Sequence, residues 1–434
     1  MATQNMAHVP NTAMGLDRKG RELRLAGKKL SEIANLYGTP CYVYSSEMMR
    51  QAYQNYQQFV AARLPASCHP LICFAVKANP NLSVLRVFAE MGAGADIVSG
   101  GEMQRALAAG IPADKIVFSG VGKRDDEISA ALDHGISQFN IESVEELQRL
   151  SRLAMAKNQI AHAAIRVNPD VDGGTHSKIS TGKKHNKFGI EQEQVPEIFA
   201  LARDLPNLQL DGLTMHIGSQ LTDLRPLGEA FTNLRRLVLQ LRQGGHAITR
   251  LDLGGGIGVA YAQEKLIDLA DYANMVKYAV GDLGCHLIFE PGRYLVAKAG
   301  LLLSRVIGTK SNSSRKFVII DAAMNDLMRP ALYNAYHEIV PVITPPDSAA
   351  IAQYDVVGPV CESTDIFAEH RPLPPLKAGD LVVIADCGAY GAALSSSYNS
   401  RNIPAEIMVT QGQSRLVRRA ITTEDLLRFE SDGD

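Results

Sequence analysis

Residues 71–80, LICFAVKANP, form an apolar run that ends on a charged amine, Lys77, and on the turn-forming pair Asn79-Pro80. A lone lysine in such a place marks the point where a strand surfaces, because lysine is rarely fully buried. Its neighbours along the chain change that expectation. From residue 71 onward, short apolar runs alternate with helix-period segments: LICFAV then NLSVLRVFAEMG, ADIVS then GEMQRALAAG, KIVFSG then DDEISAALDHG, SQFNI then SVEELQRLSRLAMAKN. The alternation continues through HAAIRV, LQLDGLTMHI, ITRLDLG and HLIFE, with helical segments between them. Eight strands in such a rhythm predict a (β/α)8 TIM-type barrel, with a doubly wound open sheet as the alternative.

The rhythm breaks after about Ala299. LLLSRVIGTK, KFVIIDA, YDVVGPV, DLVVIADCG and AEIMVTQGQSRLVRRA read as strands joined by Pro, Gly and Ser, with one helical segment near ALYNAYHEI. They predict an antiparallel carboxyl-terminal β domain. Upstream, TPCYVYS reads as a strand and SEMMRQAYQNYQQFVAARL as a helix leading into the barrel. The expected organisation is an amino-terminal tail and strand joining the β domain (1–45), the barrel (46–298) and the β domain (299–434).

The chain has 434 residues, 46% of them hydrophobic and 21% charged, with a net charge of -2, and no apolar stretch approaches the roughly 18 residues a membrane helix needs. A membrane protein is not expected. Balanced, interspersed charge also gives no basic field for nucleic acid. The first 20 residues carry no signal-peptide core, so the expected location is cytoplasmic, with those residues a tail of unknown role. The six cysteines form no CxxC pair, no metal site is expected, and most should be buried apolar residues. Cys361, set among polar residues in GPVCESTD, is the exception.

In a barrel, chemistry collects at the carboxyl ends of the strands. Those ends carry Lys77 on strand one, Asp96 and Ser99 on strand two, SGVGK on strand three, Arg166 and Asn168 on strand five, and His216, Gly218 and Ser219 on strand six. Strand seven ends in Asp252 and the run Gly254, Gly255, Gly256, Gly258; strand eight ends in Glu290, Gly292 and Arg293. Glycine lets backbone N–H groups close around an anion, so the run reads as a phosphate cradle or as a plain tight turn. A lysine on strand one, a phosphate cup on strands seven and eight and a carboxylate beside it together suit pyridoxal 5'-phosphate. Lys77 would hold the aldehyde as a Schiff base, Glu290 would keep the pyridine nitrogen protonated, and His216 would stack on the ring.

The motifs FAVKANPN, GADIVSGGE, RVNPDVD, HIGSQ, DLGGGIG, EPGR, GPVCESTD and DCGAYG, in this order over nearly the whole chain, resemble the fold type III pyridoxal-phosphate enzymes related to alanine racemase, most closely the diaminopimelate decarboxylase family. The resemblance implies decarboxylation of meso-2,6-diaminopimelate to L-lysine, the last step of lysine biosynthesis by that pathway. It also implies a head-to-tail homodimer with active sites at the subunit interface. Carried over residue by residue, it makes Lys77 the cofactor lysine, and it puts Asp96, His216, Ser219, Gly255, Gly256, Gly258, Glu290, Gly292, Arg293 and Tyr390 at the cofactor. The amino-acid substrate would meet Arg293, Arg329, Tyr333, Glu362 and Tyr390, and Cys361 would donate a proton from the other subunit. The nearest rival is an amino-acid racemase; a racemase of this fold places an arginine at the pyridine nitrogen, against which Glu290 argues. A non-catalytic cofactor carrier resembles the barrel alone.

Overall fold

The structure is a computed structural model that describes residues 16–174, 182, 186–346 and 349–431; the greater part of the amino-terminal tail lies outside them. The chain divides into two units. One comprises Ala52–Ala260 and Glu264–Leu295; the other comprises the residues up to Gln51, Tyr261–Gln263 and Val296–Asp434. The first boundary falls within the helix Ser46–Phe59, six residues beyond the expected start of the barrel.

The first unit is built on eight strands: β1 (Leu71–Ala75), β2 (Gly94–Ile97), β3 (Ile116–Phe118), β4 (Gln138–Ile141), β5 (Ala161–Asn168), β6 (Leu208–Thr214), β7 (Arg250–Asp252) and β8 (His286–Phe289). Each is parallel to the next, β4 pairs with β5 and β8 with β1, so the sheet closes into the expected barrel and the open-sheet alternative falls away. A short strand, Ile190–Glu191, adds to β5 outside the ring. The strands are short and apolar because both faces are covered, by barrel interior on one side and helices on the other. The helix Leu224–Gln243 shows how the cover is made: Leu227, Ala230, Phe231, Leu234, Leu237, Val238 and Leu241 recur at helical spacing and are buried.

Closure makes the first and last strands neighbours. The strand order β7, β8, β1, β2 therefore sets Asp252, Glu290, Lys77 and Asp96 side by side at one end of the barrel, although Lys77 and Glu290 lie at opposite ends of the barrel sequence.

In the second unit the strand Cys41–Ser45 lies inside the sheet. It pairs antiparallel with Gly300–Ser311 and parallel with Ala405–Thr410. Gly300–Ser311 extends the sheet to Lys316–Ile320 and Leu381–Ile384. This sheet departs from the expected all-antiparallel arrangement twice: Ala405–Thr410 runs parallel to Cys41–Ser45, and Ala352–Val357 parallel to Lys316–Ile320. Both parallel pairs join strands that are distant in sequence, where a crossover rather than a hairpin is available. The ALYNAYHEI segment is helical over Arg329–Tyr333 and ends at Asn334 in the left-handed conformation (φ 51°). Elements absent from the sequence reading also appear: the strands Ile339–Pro341 and Ile366–Leu373, the helices Leu30–Tyr37 and Thr423–Glu430, and a three-stranded sheet of Leu16–Lys19, Glu22–Leu25 and Lys28–Lys29.

The loop after β3 is fastened from inside. Lys123 is 3% exposed and its Nζ reaches Glu146 Oε1 at 2.6 Å, Gly120 O at 2.7 Å and Asn140 O at 2.6 Å. Burial alone would strip the charge from this amine, and Glu146 counters that. Breaking one half of a buried ion pair leaves the other charge stranded. Glu146→Ala is therefore expected to destabilise the protein by about 3–5 kcal/mol in urea denaturation, with most of the loss recovered in the double variant Lys123→Met, Glu146→Leu.

Candidate active site

Lys77 sits two residues past the end of β1, in a single 3-10 turn, Val76–Ala78, rather than on the strand itself. The sequence after it explains the turn. Asn79 accepts the backbone N–H of Asn81 at 3.1 Å, and Asn81 caps the helix Leu82–Glu90 by accepting from Ser83 N–H at 2.9 Å. Two short amide side chains thus satisfy N–H groups that a helix start leaves open. The turn aims the amine of Lys77 inward: Nζ lies 2.8 Å from Oδ2 of Asp96, which is fully buried on β2. This contact answers why a charged amine closes a buried strand. The other carboxylate oxygen of Asp96, Oδ1, is buried without a hydrogen-bond partner.

Two further carboxyl groups share this end of the barrel. Asp252 ends β7 and Glu290 follows β8, and they are hydrogen-bonded to each other. Burial, then the charges of Asp252 and Asp96, hold the Glu290 carboxyl well above the usual range, so Glu290 carries the proton and donates it to Asp252. Burial raises the Asp252 carboxyl as well, and against this the hydrogen bonds from Glu290, Gly254 N–H at 2.9 Å and Asn140 Nδ2 at 3.0 Å favour its charge. Asn140 also donates to Ser119 Oγ at 3.0 Å and accepts from Gln138 Nε2 at 2.8 Å. Asn140 and Gln138 escaped the sequence reading, but their signal was there: amides at alternate places in the short strand QFNI have no reason to be polar unless they face a polar barrel interior.

His216 follows β6. Its Nδ1 accepts the N–H of Gly255 at 3.4 Å, which puts the ring proton on Nε2. Burial, then the charges of Arg166 and Lys77, push the imidazole down to about 3, so the ring is neutral. Arg166, on β5, is tied to Glu142 at 2.6 Å. The glycine run binds the loops after β6 and β7 together: Leu221 N–H donates to Gly256 O at 2.8 Å and Gly258 N–H to Leu221 O at 2.9 Å. Gly256 has φ +104°, and a Cβ there would lie 2.4 Å from Gly218 O. A Cβ on Gly255 would lie 2.2 Å from Glu290 O. The backbone approach thus demands glycine before any ligand is considered. Arg293, 7% exposed, donates from Nη2 to Ser219 Oγ at 3.2 Å, and Gly292 lies against Ala75 and Ala78.

Lys77, Asp96, His216, Ser219, Gly255, Gly256, Gly258, Glu290, Gly292 and Arg293 all belong to the barrel unit. Arg329, Tyr333, Cys361, Glu362 and Tyr390 belong to the other unit. There Arg329 is buried, while Glu362 is exposed and accepts hydrogen bonds from Tyr398 and Thr364, both at 2.8 Å. Cys361 is exposed, whereas Cys41, Cys68, Cys73, Cys285 and Cys387 are buried free thiols.

Residues 49–297 match the pyridoxal-binding domain of the pyridoxal-dependent decarboxylases. Over 403 residues, 92% of this chain and 94% of the relative, the sequence is 48% identical to the diaminopimelate decarboxylase of Zymomonas mobilis. The chain belongs to the diaminopimelate decarboxylase family. The crystal structure of the Helicobacter pylori member complexed with L-lysine has a TM-score of 0.88 at 42% identity, covering 93% of this chain and all of that one. The M. jannaschii member, in co-complex with L-lysine, has a TM-score of 0.92 at 34% identity, covering 97% and 98%.

The cofactor of this family is pyridoxal 5'-phosphate, and the residues present fit it. Three buried carboxyl groups share the barrel end of Lys77, Asp96 Oδ1 lacks a partner, and Glu290 holds a proton next to Asp252. Such a site is short of positive charge and has an acid ready for a basic ring nitrogen. Arg293, with Ser219 and the loops it joins, offers donors suited to a phosphate.

The raised pKa of Glu290 has a consequence for the cofactor-free protein. Folding favours its protonated form, so its burial costs stability as pH rises above the unfolded value near 4.5, and costs nothing below that. Glu290→Gln is expected to stabilise the cofactor-free protein at neutral pH, with the gain shrinking as pH falls towards 4.5. Denaturant titrations of both proteins across that range check the sign.

Proposed function

We propose that the chain catalyses the pyridoxal-phosphate-dependent decarboxylation of meso-2,6-diaminopimelate to L-lysine and CO2, the last step of lysine biosynthesis by the diaminopimelate pathway. One observation carries the chemistry: an amine, Lys77, at 2.8 Å from a buried carboxylate, in a barrel end where Glu290 retains a proton. Lys77 would hold the cofactor through its amine, with Asp96 keeping that amine oriented. Glu290 would stand at the ring nitrogen, neutral His216 against the ring face, and Ser219, Arg293 and the backbone of Gly255, Gly256, Gly258 and Gly292 at the phosphate, with Tyr390 completing the cofactor site. Bound there, pyridoxal phosphate supplies an electron sink for the pair left when the bond to the carboxylate breaks. A carboxyl rather than an arginine at the position of Glu290 supports decarboxylation over racemisation.

Substrate choice follows from charge at the far end of the pocket. Diaminopimelate presents an ammonium and a carboxylate there, whereas ornithine presents an ammonium. Arg293, Arg329 and Tyr333 would donate to the distal carboxylate, and Glu362 would accept from the distal amine. Cys361 Sγ would give its proton to the α-carbon as CO2 departs and regain one from solvent. Its exposure in this chain supports a role at a neighbouring subunit, in a head-to-tail homodimer with shared sites. Six free thiols also suit the reducing cytoplasm.

Incubation of the holoprotein with a panel of basic and dicarboxylic amino acids should yield L-lysine and CO2 from meso-diaminopimelate. Ornithine should lag by on the order of a thousandfold in kcat/KM, because it brings no distal carboxylate to the guanidinium groups. Arg329→Ala should lower kcat/KM for diaminopimelate by about a hundredfold while keeping the cofactor spectrum. Ornithine turning over as fast as diaminopimelate, or an unchanged preference in Arg329→Ala, would refute this pocket.

Sharing of the site has its own test. Mixing inactive Lys77→Ala with inactive Cys361→Ala should restore part of the activity, because a hybrid dimer regains one intact site. Proven subunit exchange without recovery would rule out sharing.

A further inference from the structure

A second polar constellation, assigned no role so far, surrounds Arg329 within its own unit. The Arg329 guanidinium is 5% exposed and lies over the ring of Tyr261, 4.3 Å from its centroid. Its Nη1 is 2.8 Å from Nε2 of His337, which is 1% exposed. On the other side of the imidazole, Nδ1 is 2.7 Å from the carbonyl oxygen of Ala385. A guanidinium has no lone pair to offer and a carbonyl no proton. His337 therefore carries its proton on Nδ1, donates it to Ala385 and accepts an Arg329 N–H on Nε2. The ring is neutral and in a single tautomer.

The histidine is itself held on two more sides. Tyr261 meets it edge-on, with centroids 5.4 Å apart, so one tyrosine packs against both members of the pair. Its backbone carbonyl accepts from Arg371 Nη2 at 2.9 Å, and Arg371 in turn lies over Tyr336 at 4.3 Å. A buried arginine has about four rotatable bonds to immobilise, and a partner that fixes its plane before ligand arrives lowers the ordering cost of binding.

We infer that His337 is a positioning residue for Arg329: the neutral imidazole, backed by Tyr261, fixes the plane in which the guanidinium presents its N–H groups to the substrate's distal carboxylate. This rests on the reading of Arg329 given above. Its consequence is selective. Ligands with the distal carboxylate depend on His337, and ligands without it do not.

L-lysine and cadaverine separate the two cases. Decarboxylation at the D-configured centre leaves L-lysine with the distal carboxylate, and cadaverine is the same diamine without it. His337→Asn keeps a donor near the place of Nδ1 but loses the acceptor for Arg329; His337→Gln keeps an acceptor near the place of Nε2. Calorimetric titration of the holoenzymes should show His337→Asn weakened about tenfold or more for L-lysine and within about twofold for cadaverine, with His337→Gln regaining most of the L-lysine affinity. Equal weakening of both ligands in His337→Asn, or no advantage of Gln over Asn, overturns the inference. Arg329→Ala distinguishes the deeper failure: if it too spares L-lysine, the role given to Arg329 falls. If it costs L-lysine alone while His337→Asn costs nothing, the positioning role of His337 falls by itself.

Discussion

Much of the barrel unit is arranged around an electrostatic imbalance at one end. Asp96, Asp252 and Glu290 are buried there, Asp96 in contact with the amine of Lys77, and mutual repulsion and desolvation are relieved by keeping a proton on Glu290. Water would dissipate such an imbalance; a closed barrel cannot. Asn140 and the N–H of Gly254 donate directly to Asp252 and the hydroxyl of Ser119 donates to Glu290, while Gln138 holds Asn140 in place. The site is thus held poised for a ligand that brings a cation and a base together, which a pyridine ring does.

The same end of the barrel shows how packing and chemistry share residues. Glycines 255 and 256 are required by close backbone approach to Glu290 and Gly218, so the loop geometry stands whether or not an anion is bound. Neutral His216 accepts a backbone N–H from that same loop. Rigidity of this kind lowers the reorganisation needed when charge moves in the reaction. Lys123, by contrast, is a lysine spent on structure: its three acceptors and near-complete burial leave nothing for attachment chemistry.

In the β-rich unit the strand Cys41–Ser45 comes from the amino end of the chain and is flanked by strands from the carboxyl end. That interleaving produces a parallel pairing that local pattern cannot anticipate, since period-two alternation describes a strand but not its direction relative to a partner. The strand Ile366–Leu373 went unread for a related reason: IFAEHRPL breaks the alternation with charge on exposed places and a proline.

The order of the barrel strands, the lysine after the first, the glycine run after the seventh and the carboxylate after the eighth were all legible in the sequence, because apolar periodicity and chemically costly residues are local properties. So was the singling out of Cys361, a thiol in polar company. Tertiary structure alone decided which of those residues meet. Closure of the ring brings Glu290 beside Lys77 across almost the whole barrel sequence, and only then does a carboxyl become a held acid rather than a surface charge. Asn140 gains its meaning from Asp252 on a strand it does not adjoin, and His337 gains its tautomer from Ala385 and Arg329 together. The physical reason is the same throughout: pKa and hydrogen-bond direction are set by neighbours in space, at distances of a few ångströms, and a sequence specifies those neighbours only through the fold.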